Sequence, residues 1–115
     1  NEITLRNQVA SNYHRAFEGK VKMQKIPEGH TSSWAQFTIE VDDRDSFREK
    51  MQKNSIPTAV HYPSALSDQP IYKDKFTADT PQSKLAASRV VSLPMNPYLS
   101  SEHQSEVIEN VLKSI

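Results

Sequence analysis

The run Ile56-Pro57-Thr58-Ala59-Val60-His61-Tyr62-Pro63 constrains this chain more than any other. Ile56, Ala59 and Val60 are apolar, Thr58 and Val60 are β-branched, and prolines sit inside and at the end of the run. This predicts a short buried strand over Ile56–Tyr62 that cannot continue past Pro63. His61 and Tyr62 fall at the strand's exit, where side chains tend to face a cleft. Tyr62 precedes a proline, so its backbone is biased toward extended conformations.

The remaining elements are read outward from that run. Leu5, Val9, Tyr13 and Ala16-Phe17 recur at helical spacing and predict a helix over Ile3–Phe17, ended by Gly19 in a left-handed cap position. Tyr13 reads as a core residue. Val21–Ile26 alternates apolar and polar and predicts a strand stopped by Pro27, with a turn at Glu28–Thr31. Ser33–Val41 is the clearest strand pattern, with Ser33, Ala35, Phe37, Ile39 and Val41 on one face. The two strands are expected to pair antiparallel. Asp42-Asp43-Arg44-Asp45 opens a helix with Phe47 and Met51 facing inward and Asn54 as its C-cap. Pro63–Pro70 is a loop, anchored by Ile71, Tyr72 and Phe76, with Lys73-Asp74-Lys75 exposed. Thr80-Pro81 starts a further helix carrying Leu85, Ala86, Ala87 and Val90. Val91–Met95 is a short strand. Ser100 caps a last helix with Val107 and Val111, plus Ile108 or Leu112, on its apolar stripe. The order α-β-β-α-β-α-β-α predicts an α+β fold, a small, mainly antiparallel sheet packed by helices on one side.

Several of these runs resemble the C-terminal small domain of the DegT/DnrJ/EryC1/StrS family of pyridoxal-phosphate-dependent nucleotide-sugar aminotransferases. Ser55-Ile56-Pro57-Thr58, His61-Tyr62-Pro63, Gln69-Pro70 and Tyr72 follow a G-I-x-T-x-x-H-Y-P pattern and its sequel. Arg6, Val9, Ala10 and Tyr13 match R-x-x-(I/V)-A-x-x-Y, and Arg44, Asp45, Phe47 and Met51 match R-D-x-(F/L)-x-x-x-(L/M). Ser92-Leu93-Pro94-Met95 and Leu99-Ser100-Ser101-Glu102 complete the likeness. Besides Ser55, which stands at the pattern's Gly, two positions depart from it. Ser67 stands where many relatives have His or Asn, and Asn96 stands where many have His.

Residue chemistry taken by itself yields no self-contained catalytic set. His14, His30, His61 and His103 lie in different elements and form no metal motif. No serine sits in a strand-to-helix elbow. With two glycines in the chain, there is no phosphate-cradling glycine loop. The net charge is zero and there is no cysteine. These features argue against a nucleic-acid or membrane-surface partner, disulfides and thiolate metal sites. No apolar run approaches the ~20 residues of a membrane span. Hydrophobic residues make up 36% of the chain, fewer than a self-sufficient domain usually carries. That fits either a surface-rich small domain or a piece of a larger protein, and the helical pattern beginning at Asn1 favours the piece.

The resemblance accounts for the missing chemistry. It implies a single domain over residues 1–115, the C-terminal part of a two-domain cytoplasmic enzyme whose cofactor lysine and pyridine-facing carboxylate lie on a separate N-terminal domain. The fragment alone is then expected to be inactive. The parent would transfer an amino group, typically from glutamate, to a keto-sugar nucleotide in surface-polysaccharide or amino-sugar biosynthesis. It would work as a homodimer with shared sites. On that basis His61 and Tyr62 are expected to reach the nucleotide-sugar, at its diphosphate or uridine side, with Gln69 and Asn96 as further substrate-binding candidates. A bland alternative makes His61 an edge-of-core histidine and Tyr62 a packing residue. Other functional readings are a stand-alone, non-catalytic α+β ligand-binding or regulatory domain, and a regulatory relative of the family that has lost transamination.

Overall fold

Helix α1 spans Glu2–Phe17 and turns Val9, Ala10, Tyr13 and Phe17 to the interior. Those are the positions that 3.6-residue periodicity places on one stripe. The computed structural model describes residues 1–72, 74–75 and 79–115. After α1 the chain reverses through a turn closed by a Lys20 N–H bond to the Phe17 carbonyl (3.0 Å). Glu18 has φ −53° and ψ 128°, and Gly19 has φ +70°. This is a type II turn, and its third position is where glycine is favoured. Gly19 therefore serves the turn after the helix.

Strands β1 (Lys22–Met23), β2 (Phe37–Glu40) and β3 (Val90–Leu93) form an antiparallel sheet in the order β1-β2-β3. Phe37 pairs with Leu93, Thr38 with Ser92 and Ile39 with Val91. Side chains alternate across a strand, so Phe37, Ile39, Val91 and Leu93 share the core face. Thr38 and Ser92 share the other. The core face is covered by α1, by Phe47 and Met51 of α2 (Arg44–Lys53), and by Val107 and Val111 of α4 (Ser101–Ser114). The fold is α+β.

The strands are shorter than their sequence patterns. Trp34 takes φ +48° and is buried, so the alternation predicted from Ser33 starts only at Phe37, while Ser33 and Ala35 are exposed. Beyond Met23 the β1 run leaves the sheet, and Ile26 is 41% exposed. The predicted strand Ile56–Tyr62 is reduced to one bridge, Ala59 with Ser92. Pro57 has no N–H to offer a ladder and Pro63 closes the segment. The loop anchors are also revised. Ile71 is exposed, Tyr72 is half-buried, and Phe76 and Lys73 lie outside the described residues.

Two helix termini behave as their residues dictate. Asp43 caps α2 by accepting from the Ser46 N–H (3.0 Å), and Ser100 caps α4 by accepting from the His103 N–H (3.2 Å). Helix α3 (Pro81–Arg89) has proline in its first turn, but the Thr80 hydroxyl bonds Ser67 Oγ at 2.8 Å and does not cap the helix.

Candidate functional site

The segment bearing His61 is launched by the end of α2. Asn54 is the C-cap, and the left-handed residue is Ser55, at φ +60°. Ser55 N–H bonds the Gln52 carbonyl (2.9 Å) and Ile56 N–H bonds the Met51 carbonyl (3.0 Å). This is a Schellman motif, with its accompanying apolar contact supplied by the buried Met51 and Ile56. Ile56 is thereby fixed in the core, and the chain leaves it in extended form. Ala59 then exchanges two backbone bonds with Ser92, at 3.1 and 2.7 Å. Two residues on, His61 lies against the same stretch of β3.

The opposite wall is set by α1. The Tyr13 hydroxyl donates to the Pro94 carbonyl at 2.9 Å, and Arg6 donates to the Met95 carbonyl at 2.6 Å and to that of Trp34 at 3.2 Å. Burial pushes the Tyr13 phenol up, so it stays a donor into the alkaline range where a free tyrosine ionises. Between these walls is a groove of about 280 Å³ lined by residues that include Pro57, Ala59, His61, Ser92 and Met95. His61 Nδ1 lies 3.1 Å from Ser92 Oγ, which lies 3.0 Å from Thr38 Oγ1. Nε2 of His61 has no hydrogen-bond partner among the described residues.

Tyr62 follows through a cis peptide bond and is 71% exposed, its ring edge-on to His61 at 5.8 Å. Asn96 lines an adjoining hollow of about 510 Å³, which shares Ala35 and Met95 with the first. Its Oδ1 accepts from the Tyr98 N–H at 2.9 Å. The Tyr98 hydroxyl donates to Glu2 Oε1, and that bond raises its phenol above the ordinary value. Gln69 is outside both hollows; its amide is turned back onto Ser64 Oγ at 2.6 Å. The structure thus brings His61 and Asn96 to neighbouring parts of one surface, with Tyr62 beside His61 and Gln69 in the loop.

Sequence reasoning missed Ser92, Thr38, Arg6 and Tyr13 as residues that shape this surface. One signal was available, a hydroxyl inside the apolar run Val90-Val91-Ser92-Leu93. Larger hollows lie against α2 (about 690 Å³) and beside β1 and β2 (about 790 Å³). In the second of these, Lys22 is paired with Glu40 and Arg89 with Asp42.

Comparison with known proteins decides the family. Its sequence profile, that of the DegT/DnrJ/EryC1/StrS aminotransferases, matches residues 1–112. The chain belongs to this family. A UDP-2-acetamido-2-deoxy-3-oxo-D-glucuronate aminotransferase of Pseudomonas aeruginosa is 38% identical over 101 residues, covering 87% of this chain and 28% of the relative. A pleiotropic regulatory protein of Geobacillus stearothermophilus is 31% identical, over 92% of this chain and 30% of its own. The crystal structure of a family aminotransferase from Brucella abortus superposes with a TM-score of 0.87 at 34% identity, over 95% of this chain and 30% of that one. The chain therefore spans about three-tenths of the length of the relatives it matches.

Members of an aminotransferase family imply pyridoxal phosphate, which needs a lysine for its aldehyde and a carboxylate for its ring nitrogen. The residues described here do not fit it. Every described lysine is exposed, and no lysine or carboxylate lines the His61 groove.

Proposed function

We propose that this chain is the C-terminal small domain of a pyridoxal-phosphate-dependent aminotransferase that aminates a keto-sugar nucleotide, typically at the expense of glutamate. Cofactor and catalytic lysine belong to a larger N-terminal domain. The small domain recognises the substrate and closes the site, in a cytoplasmic homodimer whose subunits share their active sites. The relatives' names support the reaction class. The observation that carries a recognition function for this segment is the state of His61. One ring nitrogen is held by Ser92, and the other, at a groove, has no partner among the described residues. An imidazole N–H is suited to a phosphate oxygen, and the exposed Tyr62 ring beside it can stack or donate. Asn96 extends the same surface, and Gln69 shapes the loop that carries Tyr62.

The test is His61→Ala in the full-length protein, with nucleotide-sugar binding followed by calorimetry and the cofactor by absorbance. A hydrogen bond to a charged group is worth roughly 1.5–3 kcal/mol, so affinity should fall about ten- to a hundredfold. The cofactor band should not change. Unaltered affinity would remove His61 from substrate recognition.

A second reading is favoured by one observation, the similarity to the Geobacillus regulatory protein. In that reading the parent keeps the fold and a ligand groove but does not transaminate. Full-length protein with pyridoxal phosphate separates the two: a lysine-bound cofactor band with turnover supports the enzyme, and neither supports the regulator.

A further inference from the structure

Thr38, Ser92 and His61 form a row across the sheet. Thr38 and Ser92 are directly paired residues of β2 and β3, on the face turned away from the core. Ser92 is in turn the bridge partner of Ala59, two residues before His61. Backbone register therefore brings these three side chains together. Ser92 is 5% exposed and is one of two buried polar residues among those described. Its N–H and C=O are both taken by Ala59, which leaves the hydroxyl for the row alone. That hydroxyl has a single proton and two neighbours, His61 Nδ1 and Thr38 Oγ1. The row consequently has two polarities. If protons run from His61 to Ser92 to Thr38, Nε2 is a lone pair at the groove. If they run from Thr38 to Ser92 to His61, Nδ1 accepts and Nε2 carries the proton.

We propose that Ser92, backed by Thr38, is a positioning residue that fixes His61 as the Nε2–H tautomer and aims that N–H at an anionic, diphosphate-type ligand in the groove. It rests on the reading that the groove takes the anionic part of the substrate, since a lone pair there would repel phosphate oxygens. The Thr38 hydroxyl is the first donor of the row. Its removal leaves the Ser92 oxygen without a donor, so that it can accept from an Nδ1–H instead. Loss of Ser92 frees the ring to rotate and to change tautomer.

The experiment uses full-length protein labelled with 15N-histidine, with His61 assigned by the loss of its signals in His61→Gln. At about pH 8, above the ordinary imidazole range, wild type should show Nδ1 as the unprotonated nitrogen and Nε2 as the protonated one. Ser92→Ala should shift His61 toward a mixture of tautomers. Thr38→Val, which keeps the strand shape, should do so partially, and Ser92→Thr should restore the wild-type pattern. UDP affinity should fall about three- to tenfold in Ser92→Ala, the worth of one ordinary hydrogen bond. A protonated Nδ1 in wild type would overturn the proposal. So would unchanged His61 signals in both folded variants, Ser92→Ala and Thr38→Val. If the tautomer responds as stated while His61→Ala binds UDP like wild type, the positioning stands for the ring but its aim at a diphosphate, and the recognition reading beneath it, are overturned together.

Discussion

At the scale of single residues, two positions set the local geometry around the groove. Tyr13 is fully buried, stacks on Phe17 with ring centroids 5.6 Å apart, and spends its hydroxyl on the Pro94 carbonyl. Tyr13→Phe keeps the packing and orphans that carbonyl, at a cost of about 1–2 kcal/mol. The same substitution should change the alkaline limb of stability. The buried phenol is raised above the ordinary tyrosine value of about 10. The folded state therefore holds its proton where the unfolded chain releases it. Stability from this group is complete below about pH 10 and is lost as pH rises beyond it. Urea melts as a function of pH should show a steeper alkaline decline in wild type than in Tyr13→Phe. Ser55 is the second position. A left-handed non-glycine residue costs about 1–2 kcal/mol, and glycine's extra freedom in the unfolded chain offsets about 0.5–1 of that. Ser55→Gly should raise stability by about 0.5–1 kcal/mol, read as a higher melting temperature with Schellman bonds unchanged.

At the scale of elements, α1, α2 and α4 are legible in the sequence, α3 is cut short because Val90, expected on it, opens β3, and strands are only half legible. The stripes of α1, α2 and α4 are long enough for periodicity to show, and the caps of α2 and α4, Asp43 and Ser100, sit where side-chain chemistry puts them. The strands pair over two to four residues, and their ends are decided by pairing partners far along the chain. Trp34 shows why the pattern overreaches. Its indole N–H donates to Asn7 Oδ1 at 3.0 Å, and its ring packs 5.5 Å from Phe37. Docking on α1 overrides the alternation that would have turned it outward. His61 and Tyr62 stand out in the sequence because they adjoin prolines, whereas the Thr38-Ser92 support depends on register and is invisible until the sheet is formed. The joint between α1 and α4 is a similar case. Gln104, 4% exposed, donates to the Val9 carbonyl at 2.8 Å and accepts from Asn12 at 2.9 Å. Gln104→Ala should cost about 2 kcal/mol. A double-mutant cycle with Asn12→Ala should return a coupling energy of about 0.5–1.5 kcal/mol. Strict additivity would make Gln104 a space-filler.

At the scale of the molecule, the question is whether these residues make a folding unit apart from the rest of the longer enzyme proposed above. Low apolar content suggests a core completed by other parts of the protein. The structure answers with a closed interior. Tyr13, Phe17, Phe37, Ile39, Phe47, Met51, Val91 and Val111 are all less than 2% exposed, drawn from three helices and two strands. Among the described residues, no buried side-chain nitrogen or oxygen lacks a partner. A domain that had lost a covering wall would expose members of that cluster. The large apolar side chains that are exposed, Ile3, Ile26, Tyr62, Leu66, Ile71, Leu85, Tyr98 and Ile115, are scattered over the surface and none belongs to that cluster. Residues 1–115 expressed alone should therefore unfold in one cooperative transition by circular dichroism, with dispersed amide signals before it. The same sample mixed with pyridoxal phosphate should gain no lysine-bound cofactor band, because its described lysines are all on the surface. Broad, non-cooperative melting would mean that the core depends on the proposed larger domain. A saturable cofactor band in the isolated segment would place the catalytic lysine here and overturn the division of labour between the two domains.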